Sequence, residues 1–263
     1  MCQSQGEFEF RVSNILDVEY KFSYGYKLCD LKPVYGHIYQ QELDPFDFWG
    51  YCDLDVIFGR LDPFVSQEFL GNYDIITSLE RIIAGHFTLL KNTEYYRTLY
   101  RQCEHFVPKL CSPHYEVFDE DTFSSLIKKL SKEKFVRLAV TEMHAEDSIL
   151  KWKGRRSFCF IWNQDGLMDC VEGRAIGYFH FIQSKGKSSY QIPVPVKVLK
   201  SFFITNQGFV AVDSTIDLFQ FQVAKTTARL KCLPWYLKQS VKRLIPNSFR
   251  RVISAYLPKQ KQN

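Results

Sequence analysis

Phe48-Trp49-Gly50-Tyr51-Cys52-Asp53-Leu54-Asp55-Val56-Ile57-Phe58-Gly59 is an apolar run that carries two carboxylates two residues apart. A short apolar run bounded by turn residues reads as a buried strand. The stretch therefore predicts a strand over residues 46–58, interrupted by the acids and preceded by a stop at Asp44-Pro45. Burying charge without a partner is expensive, and a divalent cation held by Asp53 and Asp55 would remove that cost. Hard oxygen ligands suit Mg²⁺ or Mn²⁺, ions that commonly also hold substrate phosphates. Ligands in open α/β sheets bind at strand ends. The competing reading places both acids in a solvated turn, or pairs them with Lys or Arg. A lone Asp-x-Asp is common, and the flanking apolar strand is what gives this one weight.

Upstream, Asp30 is placed to cap a helix whose stripe is Leu31, Val34, Tyr35, Ile38 and Tyr39, at the i, i+3, i+4 spacing of a helical face. Pro33 would then fall in the first turn, where its missing N–H does no harm. Downstream, residues 73–79 and 85–90 read as short strands. Asn92 is placed to cap a helix bearing Tyr95, Tyr96, Leu99, Tyr100 and Cys103. Asp121 would open another helix, with Phe123, Leu126, Ile127 and Leu130 on one face, before a strand over 135–140. Alternating strands and helices predict an α/β domain.

The pattern changes from about Trp152. Residues 157–162 and 167–171 flank the turn Asn163-Gln164-Asp165-Gly166, and 201–205 and 209–212 flank Asn206-Gln207-Gly208. A further apolar run spans 177–182. Such spacing predicts hairpins and an antiparallel extension.

The 263 residues, 46% of them hydrophobic, suffice for one large domain. No apolar run approaches the ~20 residues that span a bilayer. The eight cysteines form no C-x-x-C pair, and no charged-then-apolar leader opens the chain. They read as reduced thiols of a cytoplasmic protein. The net charge of +5 hides an asymmetry: beyond Asp217 there are ten Lys and Arg and no acid. Residues 1–217 form the expected domain and 218–263 a basic helical tail. In that tail Trp235, Tyr236, Leu237, Val241, Leu244, Phe249 and Tyr256 are interleaved with cations. Amphipathic segments of this kind bind anionic membrane surfaces. Charge alone also admits nucleic acid, but no nucleic-acid motif accompanies it, so none is expected as a partner.

Residues 26–36 (Tyr26-Lys27-Leu28-Cys29-Asp30-Leu31-Lys32-Pro33-Val34-Tyr35-Gly36) and 47–59 resemble an uncharacterised family of bacterial polysaccharide-biosynthesis proteins. Gly85-His86-Phe87-Thr88-Leu89, Phe118-Asp119-Glu120 and His180-Phe181 extend the match to roughly residues 15–215. That family looks like GT-A glycosyltransferases. The resemblance implies a Rossmann-like mixed sheet and transfer of a sugar from a nucleotide-sugar to a glycan or lipid-linked acceptor. The work would be done at the cytoplasmic face of the membrane.

By this resemblance, Asp53 and Asp55 hold Mn²⁺ or Mg²⁺ against the donor diphosphate, and His180 is a late metal ligand. Lys185 or Lys187 would neutralise the leaving diphosphate, although Ile182 is one residue more than the family pattern has after His-Phe. Asp30 resembles the acid that touches donor sugar or ribose, and helix capping is its other reading. Lys27 and Lys32 approach the phosphates. Asp119 or Glu120 serves as the base, or else belongs to the solvated acidic cluster over 116–121. His86 faces the acceptor or has a structural role. The resemblance also implies a preceding strand-turn-helix unit. The chain opens at Met1-Cys2-Gln3-Ser4-Gln5 inside what reads as a later helix, so an N-terminally incomplete domain and a longer gene product are expected. Two other readings compete. One is a different metal-dependent phosphoryl-processing enzyme, which usually needs more converging acids. The other is a non-catalytic interaction protein.

Overall fold

The computed structural model describes residues 3–148, 158–184, 201–205 and 208–211. The chain divides into two compact units, Met1–Leu54 with Phe64–Glu142 and Asp55–Pro63 with Met143–Asn263. The expected basic tail over 218–263, with its membrane contact, lies outside the described residues, as do Lys185 and Lys187. Among the described residues no helix is long and apolar enough to cross a membrane.

The first unit opens with helix α1 (Gln5–Leu16). Ser4 Oγ accepts the Glu7 N–H, and the Glu7 carboxylate accepts the Ser4 N–H in return, forming a capping box. Residues 1–5, expected inside a helix, thus contain its N-cap. Phe8, Val12 and Leu16, four residues apart, bury one face of α1 in the core.

A 3-10 helix over Gly25–Val34 follows, then the single turns α2 (Tyr35–Ile38) and α3 (Gln40–Leu43). The expected stripe is present, with Leu31, Val34 and Ile38 in the core and Tyr35 and Tyr39 packed against it. The expected boundary is not. Asp30 sits inside the 3-10 helix, and Pro33 lies in its last turn. The 3-10 geometry eclipses side chains three residues apart, which sets Lys27 over Asp30 with the ammonium 2.8 Å from the carboxylate. Both are buried, at 1% and 0% exposure. Lys27 also donates to the carbonyls of Lys109 and His114, and Asp30 accepts the N–H groups of Glu116 and Phe118. One buried ion pair thereby fastens residues 109–118 to the 3-10 helix.

The sheet of this unit contains β1 (Phe48–Cys52), β3 (Ile75–Thr77), β4 (Phe87–Lys91) and β5 (Leu138–Val140) in the order β1-β4-β3-β5. β4 runs antiparallel to both neighbours, and β3 and β5 are parallel. Trp49 and Tyr51 of β1 point into the core while Gly50 and Cys52 point out, the period-two pattern of a half-buried strand. Gly36 lies so close under Trp49 that a β-carbon there would overlap the indole. Helices α4 (Gln67–Asn72), α5 (Glu94–Thr98), α6 (Phe106–Cys111) and α7 (Ser124–Lys132) complete the unit. Asn92 does not cap α5. Thr93 holds that position, and the Asn92 amide donates to the carbonyls of Leu43 and Phe46. Asp121 lies in a π-helical turn, Phe118–Phe123, and α7 begins only at Ser124.

In the second unit, β2 (Val56–Phe58), β6 (His144–Glu146) and β10 (Tyr178–His180) form a sheet in the order β2-β10-β6. Strands β7 (Cys159–Asn163), β8 (Gly166–Asp169), β9 (Arg174–Ile176), β11 (Ser201–Thr205) and β12 (Gly208–Ala211) form an antiparallel sheet in the order β12-β11-β7-β8-β9. Gly166 closes the expected β7–β8 hairpin with a φ of +124°, a conformation that favours glycine. The run over 177–182 departs from the expected antiparallel extension. Its strand β10 joins the smaller sheet, parallel to β6. Phe158, Phe160, Phe179, Phe181 and Phe202 supply the aromatic centre of this unit's core. The fold is mixed α/β with mixed and antiparallel sheets. The described cysteines, Cys29, Cys52, Cys103, Cys111, Cys159 and Cys170, are free thiols.

Removing one member of a buried ion pair strands the other. Lys27→Met is expected to cost about 3–5 kcal/mol, read as a lowered midpoint of urea unfolding. A loss below about 1 kcal/mol, the surface-pair range, would show that the clamp over 109–118 does not depend on this charge.

Candidate functional site

The expected single strand over 46–58 is two strands in two sheets. β1 ends at Cys52 and β2 starts at Val56, so Asp53-Leu54-Asp55 is a connection. The two carboxylates are partly exposed, at 27% and 21% of the side chain, and each faces a basic group of its own unit.

In the first unit, the Asp53 N–H donates to the His86 carbonyl, 3.3 Å away, which pins the end of β1 beside β4. Lys32 reaches from the 3-10 helix and sets its ammonium 2.5 Å from Asp53 Oδ1 and 3.4 Å from Asp119 Oδ2. Burial opposes the charge on Lys32, but Asp119 and Asp53 outweigh it and hold its pKa above the ordinary lysine value. Asp119, 1% exposed, is the opposite case. Burial pushes its carboxyl up to about 6, and the neighbouring Glu120 charge adds to that, against the pull of Lys32.

Asp119 and Glu120 are presented by the π-helical turn, which follows Val117 in a left-handed conformation. Such turns recur at functional sites. The Glu120 carboxylate accepts the Gly85 N–H at 3.0 Å. A β-carbon on Gly85 would stand only 2.8 Å from oxygens of both acids, so a larger residue here would push the two carboxylates aside. The Gly85-His86 and Asp119-Glu120 motifs, 34 residues apart in the chain, thus meet.

In the second unit, His180 is the last residue of β10 and lies opposite Val56 of β2. The Phe181 N–H donates to the Asp55 carbonyl at 2.9 Å. His180 Nε2 lies 3.4 Å from Asp55 Oδ1, and its Nδ1 lies 3.6 Å from Glu146 Oε2. With metal–ligand bonds of about 2.1 Å, two ligands stand about 3.0 Å apart at right angles and about 3.4 Å apart at the tetrahedral angle. His180 and Asp55 are therefore spaced to share one divalent cation. Next to them, burial works against Asp147, but the Ser184 side chain and the N–H groups of Gln183, Ile182 and Ser184 outweigh it and hold its carboxyl below the ordinary range.

The model of a family of unknown function (DUF6625) matches residues 3–213. The chain belongs to this family. No curated protein and no solved structure matches it.

Of the site residues expected for this DUF6625 chain, the structure joins Lys32, Asp53, Asp119 and Glu120 with Gly85-His86 in one unit, and Asp55 with His180 in the other. Lys27 and Asp30 are spent on each other and on backbone groups. Asp30 is thus not the N-cap expected of it, and its carboxylate accepts the Lys27 ammonium and the Glu116 and Phe118 N–H groups. His86 is buried and contributes its carbonyl to the Asp53 N–H. The sequence reading missed Glu146 and Asp147. Both sit in a polar stretch, residues 141–148, with no periodicity, and only the parallel β6–β10 register brings Glu146 to His180.

Chemically, the first unit offers a buried acid able to exchange a proton near neutrality beside a fixed ammonium. The Asp119 shift carries a stability cost. Its folded pKa lies above the unfolded value of 3.8. Between about pH 4 and pH 6 the folded state therefore holds a proton that the unfolded chain has released, and the contribution of Asp119 to stability falls as pH rises through that window. Asp119→Asn is expected to remove this slope, gaining on wild type by on the order of 3 kcal/mol between those limits. Urea unfolding of both proteins across the window checks it, and parallel stability curves would contradict it.

Proposed function

We propose that this chain is a metal-assisted glycosyltransferase moving a sugar from a nucleotide-sugar to a glycan or lipid-linked acceptor. The observation that carries the reading is His180 Nε2 facing Asp55 Oδ1 at 3.4 Å. Each could give one ligand atom to the same Mn²⁺ or Mg²⁺, in a motif whose other acid, Asp53, lies two residues earlier in the chain. The ion would supply positive charge against the negative charge that develops on a nucleotide diphosphate leaving group. Asp119 supports the reading as an acceptor-hydroxyl base, because a carboxyl pushed up to about 6 is matched to proton transfer near neutrality. Lys32 holds that carboxylate in place and keeps positive charge beside Asp53.

One observation favours a second reading, a non-catalytic interaction protein. The Lys32 ammonium already neutralises Asp53 at 2.5 Å, which removes part of the electrostatic case for a cation there.

A thermal-shift titration with UDP, GDP, CMP and dTDP, each with and without Mn²⁺, separates the two. A ligand that binds only the folded state at about 100 times its Kd adds about 2.7 kcal/mol, which is a rise of roughly 5–10 °C for a chain of this size. The expected result is such a rise with one nucleotide, dependent on Mn²⁺ and lost in Asp53→Ala/Asp55→Ala. A well-folded protein that responds to none of the nucleotides favours the interaction protein.

A further inference from the structure

Glu146 is a buried carboxylate with no part in the chemistry above, and it stands next to the imidazole on which that chemistry rests. It ends β6 directly opposite His180 of β10, so the two side chains leave the same face of the three-stranded sheet. On the other side of β10, Asp55 immediately precedes β2 and is tied to β10 through the Phe181 N–H. Glu146 and His180 therefore stand side by side across β6 and β10, and Asp55, on the connection just before β2, brings its carboxylate to within 3.4 Å of the other ring nitrogen. Glu146 Oε1 accepts the Ser148 hydroxyl, and Oε2 lies 3.6 Å from His180 Nδ1, just outside hydrogen-bond distance.

We propose that Glu146 is a positioning residue that keeps the proton of neutral His180 on Nδ1, so that the Nε2 lone pair and Asp55 together face a divalent cation. The proposal rests on the metal reading above and adds the group that aims its nitrogen ligand. A neutral imidazole has one N–H and one lone pair, and here a carboxylate faces each ring nitrogen. The carboxylate that takes the N–H leaves the other facing a lone pair. Glu146 is the acceptor fixed in place: it is 7% exposed, lies in a paired strand and is anchored by Ser148. Asp55 stands on a connection with 21% of its side chain exposed. With the proton on Nδ1, Nε2 and Asp55 Oδ1 become two electron-rich atoms 3.4 Å apart. A cation between them converts that repulsion into coordination. Histidine ligands to metals commonly give their second N–H to a carboxylate in this way.

Mn²⁺ alone is the probe, with the full chain and free Mn²⁺ counted from its EPR signal. The variants are Glu146→Gln, Glu146→Ala and, as the reference for a lost ligand, His180→Ala. Gln keeps an acceptor oxygen without the charge, and Ala removes both. The expected result is a loss of Mn²⁺ affinity of about 10-fold for Gln and toward 100-fold for Ala, with circular dichroism of the metal-free proteins unchanged. A ¹⁵N-resolved spectrum of His180 in mildly alkaline, metal-free buffer gives a second readout that a purely structural role would not move. It is expected to place the proton on Nδ1 in wild type and to lose that preference in Glu146→Ala. Equal Mn²⁺ affinity in wild type and both Glu146 variants overturns the proposal and leaves the metal reading standing. Mn²⁺ binding to wild type that His180→Ala does not weaken, or no binding at all, overturns the metal reading and the proposal with it. A proton on Nε2 in wild type overturns the proposal whatever the metal does. Should Glu146→Ala fail to fold, the Gln affinity and the wild-type tautomer decide.

Discussion

An ionised carboxylate taken out of water must be given a counter-charge or a set of N–H donors, because the Born cost of leaving it bare exceeds what a fold can absorb. Much of this chain's tertiary structure follows from how it meets that requirement. Asp30 draws the Lys27 ammonium and two backbone N–H groups around itself, and in doing so ties the 109–118 segment to the 3-10 helix. Asp147 collects the N–H groups of three successive residues, 182–184, and so fixes the course of the chain just after β10. Each of these acids gathers several donors and ties together segments far apart in the chain.

Asp119 is compensated differently, and the difference separates a candidate for chemistry from a clamp. Its ammonium, Lys32, stands 3.4 Å away and is closer to Asp53 than to Asp119. A like charge, Glu120, sits beside it in the same turn. Desolvation therefore wins, and the acid keeps its proton into the range where proton transfer is useful. The π-helical turn and the missing side chain at Gly85 are what make this crowding possible.

The sequence discloses the apolar skeleton of this arrangement and little of its polar wiring. Core stripes such as Leu31, Val34 and Ile38 follow from periodicity. So do the strands at 75–77, 87–91 and 138–140, because burial of apolar area is a property of spacing along one segment. The boundaries fail where a side chain's partner lies far away in sequence. Asp30 looks like a cap because its nearest neighbours are helical, while two of its partners are 86 and 88 residues downstream. The run over 46–58 looks like one strand because its apolar residues are continuous. Its halves pair with β4 and β10, and nothing within the run records that change of partner. Glu146 is invisible for the same reason, since its meaning is set by a parallel register across two segments.

That change of partner also gives the two motif acids unlike companions. Asp53 faces a lysine, a compact fixed charge that offers no lone pair while protonated. Asp55 faces an imidazole, which can act as a cation or as a neutral ligand. An ammonium close to a carboxylate neutralises it permanently and competes with any arriving ion. An imidazole close to a carboxylate can join it in holding one. The same pair of letters in the sequence thus places one carboxylate beside an ammonium and the other beside an imidazole. The asymmetry arises because the chain leaves its first sheet at Cys52 and enters its second at Val56, with only Asp53-Leu54-Asp55 between them.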